Sequence, residues 1–406
     1  MQCPFVLRRR QSVSQSVSCS DNYTSFFLAK NKSKPDFGYT TGTCAAAASS
    51  AAARMLVQQK FVPYVFVHLP EGSALCLEVL DAKFSETSAS CAVKKESGTD
   101  PDITNGILVY SSVEFSSDDG IKILGGKGIG KVTLPGLDQK VGEWAINSVP
   151  QKMMRDAVSS ELNNIHKGIK VTISIPSGVE LANKTFNPRL GIVGGISVLG
   201  TTGIVRPMSE DAIVQTIRAE ISMRAALHYT VLPVVPGNYG MDFLTHEFGF
   251  DFGFAVESSN FSYDSILMAK EYGFKKYFLT GHLGKLVKIA GGAKNTHSKY
   301  GDGRMQTLCS ASKEFCKEED YFLLQKEIMA CVSTENAVDV LIKFNLKEKV
   351  LNKIAELVKL NMQEWVPEVQ VELVLFTKKH GVLAMTNKAF DFINELKACA
   401  ARQEEK

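Results

Sequence analysis

Between Leu190 and Gly292 the chain repeats one rhythm: an apolar run, a glycine-bearing or small polar turn, then a helical stretch. "LGIVGGISVLG" ends in Gly200-Thr201-Thr202-Gly203, and "TVLPVVPGNYG" ends in Pro236-Gly237-Asn238. "FGFAVESSN" ends in Ser258-Ser259-Asn260, and "KKYFLTGHLGKLVKIAGG" turns at Gly281-His282. Continuous apolar runs suit strands covered on both faces. Strands separated by helices lie parallel, because only a long crossover returns the chain to the same end of a sheet. No other feature restricts the fold as much: it predicts a doubly wound, Rossmann-like parallel-sheet domain over residues 181–406.

The preceding segment, 37–180, has a different pattern. "YVFVHLPEGSALCLEVL" reads as a hairpin through Pro70-Glu71-Gly72, and "ILVYSSVEFSSDDGIKILGG" as another with Asp119-Gly120 at its turn. "SVPQKMMRDAVSSELNNI" reads as a helix, and "IKVTISIPSG" as a strand with Val171, Ile173 and Ile175 on one face. In "GYTTGTCAAAASSAAA" Thr43 is a suitable N-cap for a helix running through the alanines. The expectation is therefore an α/β chain of two domains, an N-terminal α+β strand-rich one and the C-terminal doubly wound one; 406 residues suffice for both. Residues 1–36 stand apart. Arg8, Arg9 and Arg10 precede "QSVSQSVSCS", and a secretory signal needs an apolar segment there. This stretch reads as a disordered or targeting-like N-terminal extension.

Charge and cysteine usage narrow the function. A net charge of +3, with no Lys/Arg stripe interleaved with aromatics, speaks against nucleic acid. Nine scattered cysteines without a C-x-x-C pair read as reduced thiols in the cytoplasm, not as a disulfide framework or zinc site. The longest low-charge run, Leu190 to Val205, is too short for a membrane span and is interrupted by five glycines and two threonines. A small-molecule ligand remains, and nothing in the composition opposes a homo-oligomer.

In an open parallel sheet, ligands sit beyond the carboxyl ends of the strands. There the helix N-termini offer unpaired N–H groups to a carboxylate or phosphate. A glycine at such a place also simply makes a tight turn; small-residue turns after four strands on one expected edge are what point to a ligand. "GGKGIGKVT" has G-x-G-x-G spacing and is followed by Val-Thr-Leu-Pro, so it reads as a flexible loop touching substrate and not as a dinucleotide fingerprint. The Tyr39-Thr40-Thr41-Gly42-Thr43 stretch offers hydroxyls to rim a polar ligand. "GTDPDITNG" sets Asp100, Asp102, Thr104 and Asn105 in a turn, although these residues are also good turn formers. Arg189 of "NPRLG" is expected at the base of the first buried strand. His282, Lys285, Lys288, Lys294, Asn295, His297 and Arg304 gather within a short segment and suit an anionic ligand. No carboxylate or thiol near them has zinc-ligand spacing, so no protein-bound metal is expected.

Several of these stretches together resemble one family. "GYTTGTCAAAA", "DPDITNG", "KVTLPGL", "VGEWAIN", "KTFNPRLGIVGGISVLGTTGIVRPMS", "PGNYG", "GHLGKLVKIAGG" and "NTHS" are similar to the cobalt-precorrin-5B C1-methyltransferases, the CbiD family of anaerobic cobalamin biosynthesis. The resemblance runs in order from about Phe37 to about Arg304. Departures fall at Thr99, where the family usually has Asp, and at Ser148 and Gln151, where it favours Pro and Arg. The resemblance implies S-adenosylmethionine as cosubstrate, methylation of C-1 of cobalt-precorrin-5B to give cobalt-precorrin-6A, and a cobalt that belongs to the corrinoid substrate. On that basis Gly200, Thr201, Thr202, Gly203, Gly237, Asn238 and Gly281 are expected to hold the donor. Tyr39, Thr40, Thr41, Thr43, Arg189, Lys285, Asn295 and His297 are expected to meet the macrocycle, and His282 or Asp102 to tune protonation at the reacting carbon. A nicotinamide-dependent corrinoid reductase and a non-catalytic corrinoid carrier are the other readings. The reductase would need a G-x-G-x-x-G loop, which is absent.

Overall fold

The computed structural model describes residues 6–7, 37–162, 167–207, 209–249 and 251–404. The extension expected over 1–36 lies outside the described residues except for one short strand. Two compact units divide between Ser209 and Glu210, each with its own buried core.

In chain order the first unit carries β1 (Val6–Leu7), β2 (Gly38–Tyr39), α1 (Thr41–Gln58), β3 (Tyr64–His68), β4 (Ala74–Glu78), β5 (Leu80–Phe84) and β6 (Ser88–Lys94). It continues with β7 (Leu108–Ser116), β8 (Ile121–Gly125), β9 (Gly128–Ile129), β10 (Lys131–Val132), α2 (Ser148–Leu162) and β11 (Gly168–Ser174). It ends with α3 (Gly178–Leu181), β12 (Ile192–Val193), β13 (Gly195–Ile196) and β14 (Ile204–Val205). Its main sheet has the order β5-β6-β7-β11-β8. Alternation along β7 and β11 buries Val109, Val113, Ile169, Val171 and Ile173. Full burial of such a side chain contributes about 1.5–3 kcal/mol.

Helix α1 is buried on every side from Thr41 to Ala53. Its alanines explain how: without bulk the helix axis comes close to the sheet and to α2 at once. The gap is so narrow that the Ser49 hydroxyl meets that of Ser111 on β7 at 2.9 Å and the Cys91 thiol reaches the Ala48 carbonyl at 3.2 Å. Arg54 grips Glu161 of α2 through two nitrogens, at 2.9 and 2.7 Å.

Three expectations are corrected here. The β3–β4 hairpin forms through Pro70-Glu71-Gly72, but β7 and β8 do not pair with each other: β11 lies between them, antiparallel to β7 and parallel to β8. The run "LGIVGGISVLG" is not a strand of a parallel sheet. It breaks into β12, which pairs antiparallel with β10, and β13, which pairs parallel with β9. Residues 181–209 thus pack with the first unit, because their glycines let the backbone lie against "KGIGKV" instead of extending. That "KGIGKV" loop is also tightly packed and not free: Gly128 has φ +79° and the Ile175 carbonyl occupies the space of a side chain.

The second unit carries α4 (Glu210–Ala226), β15 (Leu232–Val235), α5 (Asn238–Phe248), β16 (Val256–Glu257), α6 (Ser262–Glu271), β17 (Lys276–His282) and α7 (Leu283–Ala290). There follow α8 (Arg304–Ser312), α9 (Glu318–Met329), α10 (Thr334–Lys343), α11 (Lys347–Trp365), β18 (Gln370–Thr377), β19 (Gly381–Met385) and α12 (Ala389–Glu404). Its sheet has the order β16-β15-β17-β18-β19, parallel except for β19 at the edge. Residues alternate across β17. Tyr277 bonds Ser265 of α6 at 2.7 Å and Gly281 lies under Leu286 of α7, whereas Lys276 reaches Glu395 of α12 at 2.5 Å on the other face. On that second face Phe243 of α5 stacks on Phe376 of β18 with centroids 4.0 Å apart. Helices therefore cover both faces. The first three strands run in the spatial order second, first, third, so the chain reverses direction across the sheet between β15 and β17. Open α/β sheets open a ligand crevice at such a switch point. Among the described residues no helix is long and apolar enough to cross a membrane.

Candidate functional site

The two threonine–glycine stretches of the first unit meet each other. Thr40, not Thr43, is the N-cap of α1; its hydroxyl accepts from the Thr43 N–H at 3.2 Å. The Thr43 hydroxyl donates to the Gly203 carbonyl at 2.7 Å, and the Thr41 hydroxyl accepts from the Leu199 N–H at 2.9 Å. The Gly42 N–H donates to the Leu199 carbonyl at 2.8 Å, and β2 pairs with β14 just beyond. Tyr39 donates its hydroxyl to the Lys94 carbonyl at 3.0 Å. Tyr39, Thr41 and Thr43 are buried and bind this chain's own backbone, whereas Thr201 and Thr202 are exposed on the turn they support. Gly200 to Gly203 are thus brought to the Thr40–Thr43 loop. They do not lie on the carboxyl edge of the parallel sheet, where they were expected, because their strand belongs to the first unit.

Asp102 is locked. One carboxylate oxygen accepts from the Lys95 ammonium at 2.6 Å, and the other accepts from the Thr104 N–H and hydroxyl at 2.8 and 2.7 Å. Burial on its own pushes the carboxyl up, but those donors outweigh it and hold Asp102 below its ordinary range. Lys95, with 2% of its surface exposed, also donates to Ser97 at 2.6 Å. An ionised carboxylate with both oxygens engaged this way supports a loop and is a poor proton acceptor. Arg189 lies on a short 3-10 turn, Pro188–Leu190, behind Asn187. It is not at the base of a buried strand, since the run that follows it is the broken β12–β13 segment.

The carboxyl edge of the second unit's sheet does gather expected residues. Gly237 precedes α5, which opens at Asn238 with no side-chain cap, and a Cβ on Gly237 would meet nothing within 4 Å. Gly240, one turn in, packs so closely that a Cβ there would stand 2.9 Å from Val235 and 3.1 Å from the Thr280 carbonyl. Lys285 ties two turns together, donating to the Pro236 carbonyl at 2.5 Å and the Ser259 carbonyl at 3.1 Å. Burial pulls its ammonium down from its ordinary value, partly opposed by Glu257. Thr296 bonds Asn260 at 3.1 Å, which brings the Asn295 to His297 loop to the same turn. Within that loop His297 caps Lys299 with its ring nitrogen, and Asn295 accepts from the His297 N–H.

His282 ends β17 and caps α7: its Nδ1 accepts from the Gly284 N–H at 3.0 Å. The proton consequently sits on Nε2, which faces Glu335 at 3.7 Å. Burial pulls the imidazole below its ordinary value, against a smaller upward pull from Glu335. Three buried hydroxyls nearby in the chain, Ser258, Ser262 and Thr280, have no hydrogen-bond partner. Thr280 shares the β17 face of Lys276, the face that α5 covers. Buried hydroxyls normally find a partner, so these three stand out as unsatisfied groups. Sequence reasoning passed over Thr280 and Ser262 because a hydroxyl inside an apolar strand or at a helix start reads as ordinary. Among the described residues no group of three His, Cys, Asp or Glu side chains is disposed to ligate a metal.

Known proteins match this chain over most of its length. The family model described as CbiD matches residues 28–207, and that described as CbiD, C-terminal domain, matches residues 295–387. A cobalt-precorrin-5B C(1)-methyltransferase from Thermoanaerobacter sp. (strain X514) is 39% identical over 368 residues, covering 90% of this chain and 99% of that protein. Another of that name, from Ruminiclostridium cellulolyticum, is 40% identical over 384 residues, covering 91% of this chain and 97% of that protein. A crystal structure of a cobalamin biosynthesis protein (cbiD) from Archaeoglobus fulgidus is 25% identical, covers 68% of this chain and 83% of that one, and superposes with a TM-score of 0.34.

Proposed function

As the chain belongs to the CbiD family, we propose that it is a methyltransferase acting on C-1 of cobalt-precorrin-5B, with S-adenosylmethionine as donor. The observation that carries the donor assignment is the carboxyl edge of the second unit's sheet. An uncapped helix start and an open space over Gly237 lie at a switch point there, with unpartnered buried hydroxyls at the ends of β16 and β17 and at the start of α6. The sheet is then Rossmann-like in use as well as in strand direction. The donor supplies an activated methyl on a sulfonium, transferred by in-line displacement that leaves a thioether.

The chain's part is alignment and exclusion of water. The first N–H groups of α5 receive a carboxylate, Lys285 holds the turns at Pro236 and Ser259 in place, and Gly281 keeps the strand end close to α7. His282, neutral and fixed by its bond to Gly284, orients the α7 start. The corrinoid substrate, bearing its own cobalt, is assigned to the first unit, where Thr201 and Thr202 stand exposed and Arg189 lies close in sequence. The free cysteines suit a cytoplasmic setting.

Titration with S-adenosylmethionine by calorimetry tests the donor site, and mass spectrometry of incubated cobalt-precorrin-5B tests the reaction. The substrate is expected to gain one CH2; a carrier would bind it unchanged. Gly237→Val separates ligand space from protein space. The residue is extended and its Cβ is unopposed, so the expected loss of unfolding stability is that of a glycine N-cap, no more than about 1 kcal/mol. Donor affinity is expected to fall at least tenfold. Unchanged affinity would place the donor elsewhere.

A further inference from the structure

Glu257 closes β16 at the carboxyl edge of the sheet, and its Cα is paired with that of Val235, the last residue of β15. Gly237 begins the first crossover turn two residues beyond Val235. In the dinucleotide-binding form of such sheets, an acid ending the strand beside the first one, about 20 residues after the glycine-rich crossover turn, takes the hydroxyls of a ribose. Glu257 stands at that spacing from Gly237. The full G-x-G-x-x-G loop is missing, but the strand order and the ladder supply the context that the motif alone would only suggest.

The surroundings fit a ribose. The Ser258 N–H donates to the Val235 carbonyl at 2.9 Å, which keeps the two strand ends level. The Glu257 N–H donates to the Glu220 carboxylate at 3.0 Å, so its backbone is held independently of its own side chain. Lys285, bonded to Pro236 and Ser259, spans the turns on either side and lies within the field of the Glu257 carboxylate. Beside it the hydroxyls of Ser258 and Ser262 are fully buried and lack partners. A helix N-terminus alone would say little; the acid in register with β15 and these orphaned hydroxyls are separate observations that point to a polar ligand.

We propose that Glu257 binds the ribose cis-diol of an adenosine-containing ligand, which is the methyl donor. The donor identity rests on the function proposed above; the ribose assignment rests on the sheet.

S-adenosylhomocysteine, its 2′-deoxy form and NADH serve as probes, titrated by calorimetry into the full chain and into Glu257→Gln. The wild-type protein is expected to bind S-adenosylhomocysteine, and the variant to bind it about 10- to 100-fold more weakly, as loss of charge-assisted hydrogen bonds entails. The 2′-deoxy form is expected to bind the wild-type protein more weakly and to lose little more in the variant. Wild-type binding with equal affinity in the variant overturns the Glu257 assignment and leaves the donor reading standing. NADH binding that depends on Glu257, without binding of S-adenosylhomocysteine, overturns the donor reading and keeps the ribose assignment; binding of neither ligand overturns both. Circular dichroism of Glu257→Gln checks its fold. Should the variant not fold, the wild-type comparison decides, and equal affinity for the 2′-deoxy form overturns the assignment.

Discussion

Asp102 shows how one side chain's surroundings decide between a chemical and an architectural role. Its four hydrogen bonds come from Lys95, Ser97 and Thr104, and its partner Lys95 is almost fully buried. Asp102→Asn would leave that ammonium buried beside a neutral amide. A fully buried pair broken from one side costs about 3–5 kcal/mol; with Asp102 partly exposed, about 2–3 kcal/mol is expected. Urea unfolding would measure this, and turnover per folded molecule should be preserved. A collapse of turnover at unchanged stability would restore a chemical role. The pH dependence has a definite sign. A carboxyl held below its ordinary value adds stability above the unfolded value of about 3.9 and loses it as pH falls through the folded value. The variant should therefore show a shallower loss of stability on acidification below about pH 4.

At the level of elements, α1 is the clearest case of composition dictating position. A helix of alanines has little hydrophobic surface to hold it in an ordinary amphipathic setting, yet it suits the middle of a unit where three layers approach closely. Ala47→Leu adds bulk where nothing is exposed and is expected to destabilise by about 1–3 kcal/mol through overpacking, read as a lowered urea midpoint. A neutral effect would mean that the sheet–helix spacing has slack. Elements of this kind were legible in the sequence because their signals are local: the alanine run, the Pro70-Glu71-Gly72 hairpin, and the apolar strands β15 and β17 with their glycine turns. What was not legible depends on partners distant in the chain. Asp119-Gly120 turns the chain, but whether β8 then pairs with β7 or with β11 is settled by a strand nearly fifty residues downstream. "LGIVGGISVLG" has the composition of a buried strand, and only the proximity of Gly128 and Gly130 shows that its glycines serve close backbone approach. Of the candidate site, Gly237, Gly281, His282 and Lys285 could be placed from strand-end position. The consumption of the Thr41 and Thr43 hydroxyls by Leu199 and Gly203 could not, since it is a contact across about 160 residues of sequence.

For the whole molecule, the separate cores have a thermodynamic consequence. The buried cluster of the first unit runs from Tyr39 to Val198 and that of the second from Ile217 to Cys399, with no residue in common. Scanning calorimetry should resolve two unfolding transitions and not one two-state event. S-adenosylmethionine at about 100 times its Kd should stabilise the second unit by about 2.7 kcal/mol and raise only that unit's transition. A shift confined to the other transition would reassign the donor to the first unit. The pairing of β2 with β14 carries a further consequence. It joins β2 to the closing strand of the first unit, Tyr39 opposite Ile204, beside the Thr41–Leu199 and Thr43–Gly203 bonds, so the stretch 38–205 is topologically a ring closed at this seam. During synthesis the seam cannot close until Val205 has left the ribosome. Once closed, the ring has no obligatory beginning: joined across the seam and cut instead at the Glu71-Gly72 turn, a permuted gene for residues 38–205 alone would encode that stretch's contacts in a different order.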